Sequence, residues 1–197
     1  GRVIKYLKEN NLYKNTIIVF TSDHGGLSNR GNNRPLATSN LPLRAGKGHN
    51  YEGGIKVPLF VVWENKIVSG WSNTLVTGTD HFPTLLELIG EDTMGEKHLD
   101  GLSFKKSLTG EFQDNSKRPI FWHSPRPRPK STGDLANTAI RLGDFKLLDF
   151  YREGRVELYN LKEDMKESKN LSETMHNKKE ELLDLVRKWR ESVDATE

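Results

Sequence analysis

The sequence predicts an α/β chain: part of a sheet flanked by helices, followed by a small antiparallel sheet packed with a carboxyl-terminal helix. Two continuous β-rich runs, "TIIVFTS" and "KVPLFVVWE", are apolar on both faces, the pattern of strands covered by helices on both sides of a parallel sheet. A Leu-rich helical stretch, "TGTDHFPTLLELIGED", follows them. Beyond "LTGEFQDNSKRP" the apolar runs become short and paired, and the chain closes on an amphipathic helix. The expected division is residues 1–112 for the α/β part and 113–197 for the antiparallel α+β part.

Each element has its own justification. "RVIKYLKENNLY" carries Val3, Ile4 and Leu7 at three-to-four spacing and reads as the end of an amphipathic helix. The polar, Gly- and Pro-containing sequence from Leu27 to Gly54 reads as a loop too long for a mere connection, a length more often associated with function. In the helix at "TDHFPTLLELIG", Thr79 or Asp80 is the expected cap, Pro83 is tolerated in the first turn and Gly90 ends it. The Asp80–His81 pair reads as part of that cap and not as a second metal site. "PIFWHSP", "NTAIRL" and "FKLLDFYREGRVELYNL" read as short strands with "REGR" as a hairpin turn. In "MHNKKEELLDLVRKWRESV", Leu182, Val186, Trp189 and Val193 share one helical face able to cover that sheet. Two strands and two helices do not make a doubly wound sheet, so the rest of that sheet is expected to lie outside these residues.

Composition limits the alternatives. With 34% hydrophobic and 29% charged residues among 197, the chain is of the soluble globular type, and no stretch is long and apolar enough to span a membrane. Cysteine is absent, which excludes disulfides, Cys-ligated zinc and a Cys nucleophile within the chain. The net charge of +3 comes from thirty basic against twenty-seven acidic residues, too balanced to argue for a nucleic-acid partner. The opening "GRVIKYLKENN" has neither an initiating Met nor a signal peptide's apolar core, and reads as a piece of something longer.

The abrupt end of the first apolar run at "TSDHGG" carries chemistry. Ligands of open α/β sheets gather beyond the carboxyl ends of the strands. There Asp23 offers a carboxylate, His24 a nitrogen, and Gly25 and Gly26 a tight turn, a combination that suits a cation. An Asp cap and a surface His in a turn is the alternative reading of that stretch alone. In the long loop Lys47 stands between two glycines, where an ammonium approaches a ligand closely and can neutralise a tetrahedral oxyanion.

Taken together, "FTSDHGG", "GKGHNYEGGIKVP", "DHFPTLLELIG", "DGLSF", "IRLGDFKLL" and "ELYNLKEDMKESKNL" resemble, in order, segments of the carboxyl-terminal half of the sulfatases, and the match covers nearly the whole chain. The resemblance implies an alkaline-phosphatase-like fold, sulfate-ester hydrolysis, a calcium ion and a periplasmic or secreted location. Asp23 matches the acidic metal ligand, and His24 falls where many of these enzymes have Asn and some have His. Lys47 matches the lysine that binds the sulfate group, including the oxygen bridging to the leaving group. Sulfatases of this kind use a formylglycine made within a Cys/Ser-x-Pro-x-Arg motif, which does not occur here, nor does the early acidic pair that completes the metal site. Turnover by these residues alone is therefore not expected, and the missing amino-terminal half is the implied partner.

His49, His123 in "FWHSP" and Arg126 in "SPRPRPK" are candidate contacts to a sulfated sugar or aryl sulfate, with Arg128 a further residue able to meet an anion. A solvent-exposed His49 in a Gly-rich loop, a structural His123 and a stiff Pro/Arg loop are the alternatives. At the level of function, the alternatives are a phosphatase or phosphodiesterase of the same superfamily and a non-catalytic anion- or glycan-binding remnant. The Lys47 loop with "YEGG" speaks against the phosphatase.

Overall fold

A computed structural model describes residues 1–28, 37–128 and 133–195. Part of the long loop and the end of the Pro/Arg-rich stretch, Pro129 and Lys130, thus lie outside the described residues. The chain resolves into two compact units. One joins Gly1–Asp23 to Pro58–Asn115, and the other joins His24–Val57 to Ser116–Glu197.

The first unit opens with helix α1 (Arg2–Glu9) and a 3-10 turn at Tyr13–Asn15, then strands β1 (Ile18–Phe20) and β2 (Phe60–Val62). The two strands pair antiparallel, with Val19 opposite Val61, where the apolar runs had suggested a parallel sheet. They are also shorter than those runs. Pro58 offers no amide to a ladder, so pairing begins only beyond it. Nor are both faces covered, since Phe20 is 61% and Phe60 53% exposed.

Helix α3 (His81–Ile89) ends on Gly90 in the left-handed conformation, at φ 86°. Neither Thr79 nor Asp80 caps it with a side chain. The capping box instead closes one turn earlier, around the 3-10 turn Gly78–Asp80, where the Thr77 amide donates to Asp80 Oδ2 at 2.7 Å. Asp80 spends its other oxygen on the Leu102 amide, and Thr84 accepts from the Phe104 amide. These bonds fasten α3 to the segment entering α4 (Lys105–Leu108).

The second unit is built on a four-stranded antiparallel sheet in the order β3 (Ile120–Ser124), β4 (Asn137–Leu142), β5 (Phe145–Phe150), β6 (Arg155–Asn160). Gly143 and Gly154 take positive φ in its two tight turns, conformations a side chain would oppose. Side-chain alternation gives the sheet two different faces. Ile140, Leu147 and Leu158 pack under Leu182, Leu183 and Val186 of α5 (His176–Ser192). Val193, expected on that face, lies just past the helix end and is 51% exposed. On the opposite face, Ala139, Leu148, Phe150 and Tyr159 enclose Tyr51, which comes from the long loop. Just after Tyr51 the loop makes one helical turn, α2 (Glu52–Ile55), within a stretch expected to be irregular. No helix among the described residues is long and apolar enough to cross a membrane.

Candidate active site

The turn after Asp23 and the loop bearing Lys47 are joined through their backbones. The Gly25 amide donates to the Gly54 carbonyl at 2.8 Å, the Lys47 amide to the Gly26 carbonyl at 3.0 Å, and the Gly53 amide to the Arg44 carbonyl at 2.8 Å. Chains can cross this closely only where Cβ atoms are missing. A Cβ on Gly25 would stand 1.9 Å from the Gly53 oxygen, and one on Gly54 2.0 Å from the His49 oxygen. Asn40 completes the crossing. Its Oδ1 accepts the Gly26 amide, and its Nδ2 reaches the carbonyls of Gly26 and Ala45 and the hydroxyl of Ser28. Lys47 itself projects from this frame as an exposed side chain.

Beneath the loop lies a buried polar floor supplied by the sheet. Lys146 shares its strand face with Leu148 and Phe150, so its ammonium enters the interior and is fully buried. There it meets Glu52 and Glu167, each at 3.0 Å, with Arg141 3.6 Å from the second oxygen of Glu52. Two buried carboxylates are thus balanced by two cations. Beside them Glu157 accepts the hydroxyls of Tyr51 and Tyr159, both at 2.7 Å, and pairs with Arg155. Burial pushes both phenols above their ordinary range, so they remain donors. Arg44 lies over the Tyr51 ring at 3.8 Å and Arg155 over Phe150 at 3.7 Å. These four residues, with His49 and Asp134, line a cavity of about 340 Å³.

His49 stands between two fixed partners. Its Nδ1 is 3.1 Å from the Gly46 carbonyl, which only accepts, so Nδ1 carries a proton, and Nε2 faces Asp134 at 3.9 Å, an ion pair when that nitrogen is protonated as well. Asp134 is anchored in turn, accepting the Asn50 amide and donating its own amide to Gly48. Burial raises the Asp134 carboxyl above its usual value, against the pull of the Asn50 amide and His49. The structure therefore brings His49 together with the Lys47 loop. It does not do so for His123, which occupies the helix face of β3, bonded to Thr138 at 2.9 Å and edge-on to Trp189. Arg126 and Arg128 are exposed on the segment leaving β3.

Asp23 closes one unit and His24 opens the other. Among the described residues no group of three or more His, Cys, Asp or Glu side chains could hold a metal. Asp23 and His24 are nonetheless each a donor of a kind that suits a cation. Asp23 is an exposed carboxylate, and His24 Nδ1 lies 2.9 Å from the Gly25 carbonyl. That contact places a proton on Nδ1, the orientation in which an imidazole can offer Nε2 as a ligand. A calcium ion takes six to eight oxygen ligands, so these two donors alone would not complete its shell.

Asn40, Glu52, Asp134, Lys146 and Glu167 were not singled out from the sequence. A signal existed for Lys146 alone, a charge at an inward-facing position of "FKLLDF".

Comparison with known proteins points to one family. The family model described as Sulfatase matches residues 1–91. A "Sulfatase" of Formosa agariphila is 32% identical over 213 residues, taking in 99% of this chain and 36% of that protein. The steryl-sulfatase of Mus musculus is 36% identical over 126 residues, 61% of this chain and 20% of its own length. The crystal structure of Ps i-CgsB in complex with k-i-k-neocarrahexaose superposes with a TM-score of 0.75 at 31% identity, covering 97% of this chain and 39% of that one. The chain thus spans little more than a third of the relatives it matches along its whole extent.

Proposed function

The chain belongs to the sulfatase family, and from that premise we propose that it is the carboxyl-terminal part of a sulfuric ester hydrolase acting on a sulfated carbohydrate. The observation that carries this reading is the bond from the Lys47 amide to the Gly26 carbonyl, which ties the lysine's backbone to the Asp-His-Gly-Gly turn. A carbohydrate is favoured over a steroid because the likeness to Ps i-CgsB, a structure holding k-i-k-neocarrahexaose, runs through 97% of the chain. The likeness to the steryl-sulfatase runs through 61%.

In this reading Lys47 sets its compact ammonium against the sulfate oxygens, including the oxygen that bridges to the leaving group, where charge develops in the transition state. Asp23 and His24 would hold one divalent cation, calcium on the family's pattern, together with ligands from outside the chain; such a cation would supply positive charge at the sulfate, and the nucleophile would be a formylglycine outside these residues. His49, with Nε2 turned to Asp134, and the exposed Arg126 are assigned to the remainder of the substrate. Residues 1–112 belong to the enzyme's α/β domain and 113–197 to its α+β subdomain. The exposed Phe20, Phe60 and Val62 of the two-stranded sheet support an amino-terminal half that covers them.

The test is Lys47→Ala and Lys47→Arg in the complete enzyme, followed by kcat on a sulfate ester with thermal unfolding as the control. Loss of one such stabilising group costs about 10²–10³ in kcat. Lys47→Arg restores only part, because a planar fork replaces a point charge between Gly46 and Gly48. Unchanged turnover at unchanged stability removes Lys47 from the site.

A further inference from the structure

Resting on that reading of Lys47, we propose that Glu167 is a positioning residue for catalysis, holding both ends of the loop that carries Lys47 and His49. Its backbone carbonyl accepts Arg44 Nη1 at 2.9 Å, where the loop begins. Its carboxylate Oε2 accepts the Glu52 amide at 2.7 Å, where the loop ends and α2 starts. The other oxygen lies 3.0 Å from the Lys146 ammonium, an ion pair and not a well-directed hydrogen bond, and Lys146 donates at the same distance to Glu52 Oε1.

Three features separate this arrangement from ordinary packing. Glu167, Lys146 and Glu52 are buried to 0%, 0% and 3% exposure, so each charge depends on the others. Glu167 also adopts φ 52°, a left-handed conformation unfavourable for a residue with a Cβ, and Ala45, two residues before Lys47, adopts φ 60°. Strain of this kind persists only where the surroundings over-determine it, and it gathers at functional sites. Finally, between Arg44 and Glu52 the loop's backbone bonds run to the Asp-His-Gly-Gly turn, through Lys47 and Gly26, and to Asp134 through Gly48 and Asn50. Glu167 thus acts on the sulfate-binding lysine through the loop and touches no substrate.

The experiment uses two readouts. Amide hydrogen exchange of this chain reports the Lys47, Gly25 and Gly53 amides, whose acceptors lie in the crossing, against Leu148 in the centre of the sheet. Turnover of a sulfate ester by the complete enzyme reports the chemical step. Glu167→Gln keeps an oxygen for the Glu52 amide and is the conservative variant. The double variant Glu167→Gln with Lys146→Met removes one charge of each sign and preserves the balance of Arg141 against Glu52.

In the double variant, Lys47, Gly25 and Gly53 should exchange about tenfold faster or more while Leu148 is unchanged. The kcat should fall by about 10²-fold while KM changes little, because the lysine is displaced relative to the transition state. Glu167→Gln alone should recover most of both. Equal loss of protection at Leu148 and Lys47 makes Glu167 a merely structural residue and overturns the proposal, as does wild-type exchange at Lys47 in the double variant. If the double variant does not fold, Glu167→Ala, which leaves the Glu52 amide no side-chain oxygen, decides instead: the three loop amides must exchange faster than wild type while Leu148 does not, and wild-type exchange at all three overturns the proposal. The exchange result stands whether or not Lys47→Ala affects turnover, so failure of the sulfatase reading remains distinguishable.

Discussion

The amide of Lys47 is bonded to the carbonyl of Gly26 at 3.0 Å, and Asn40 Nδ2 donates to that same carbonyl at 2.8 Å. The Gly26 carbonyl is thus held by two donors, and the backbone of Lys47 is fixed to the Asp-His-Gly-Gly turn through it, which is what the proposed role of Lys47 at the sulfate requires of the loop.

Asn40 should therefore behave as a structural residue of unusual weight for a loop. Asn40→Ala leaves the Gly26 amide without its acceptor and the Ala45 carbonyl with Ser28 Oγ as its remaining side-chain donor, a loss of roughly 1–3 kcal/mol. Asn40→Asp keeps the shape but turns an acceptor toward the carbonyls of Gly26 and Ala45, and is expected to cost more than Asn40→Ala. Urea midpoints at constant m decide it; Asp tolerated better than Ala would contradict the assignment.

The glycine crossing predicts a graded series. Gly25→Ala meets the backbone oxygen of Gly53 at 1.9 Å, which cannot move without opening the crossing, and is expected to cost about 3 kcal/mol or more. Gly26→Ala meets the Thr38 methyl at 2.3 Å and Asn40 Oδ1 at 2.8 Å, side chains able to shift, and should cost less. Gly78→Ala meets nothing within 4 Å and serves as the control. Thermal unfolding of the three variants should rank them in that order.

Much of this site was legible because its chemistry is local in sequence. Asp23, His24, Lys47 and the glycines that let their loops cross sit within two short motifs. The antiparallel sheet was equally legible, since period-two patterning and the turn glycines Gly143 and Gly154 act over a few residues. What stayed hidden is long-range. Glu167 meets Glu52 across 115 positions and Lys146 meets Glu52 across 94, and no local pattern encodes such pairing. The orientation of β1 against β2 was misjudged for a related reason: apolar continuity reports burial demanded by the chain, not the direction of its neighbour.

That demand yields a prediction for the first unit. Phe20 and Phe60, 6.0 Å apart between ring centres, form an exposed apolar pair with Val62 beside them. Phe20→Ser with Phe60→Ser should raise the solubility of this chain expressed alone and abolish its recovery of activity when combined with the separately expressed amino-terminal half. Recovery equal to wild type would show that this face is not where the halves meet.

The buried cluster makes stability depend on pH in an unusual direction. Burial raises Glu167 above its ordinary value, although the Lys146 ammonium and the Glu52 amide pull it down, and burial likewise raises Asp134. A carboxyl whose folded value is raised contributes stability that is fully present below its unfolded value and is lost as pH rises through the folded one. These two groups therefore oppose acid unfolding. Lys146→Met removes the main influence lowering Glu167 and leaves Glu52 and Glu167 with Arg141 alone, so breaking the cluster should cost about 3–5 kcal/mol at neutral pH. As pH falls, protonation of Glu167, favoured by its burial, removes the need for the missing counter-charge, and the penalty should shrink. Measuring unfolding of wild type and Lys146→Met from about pH 8 to about pH 5 tests this: the two stability curves are expected to converge toward acid. Parallel curves would mean that Lys146 contributes through packing and not through the charge it places between Glu52 and Glu167.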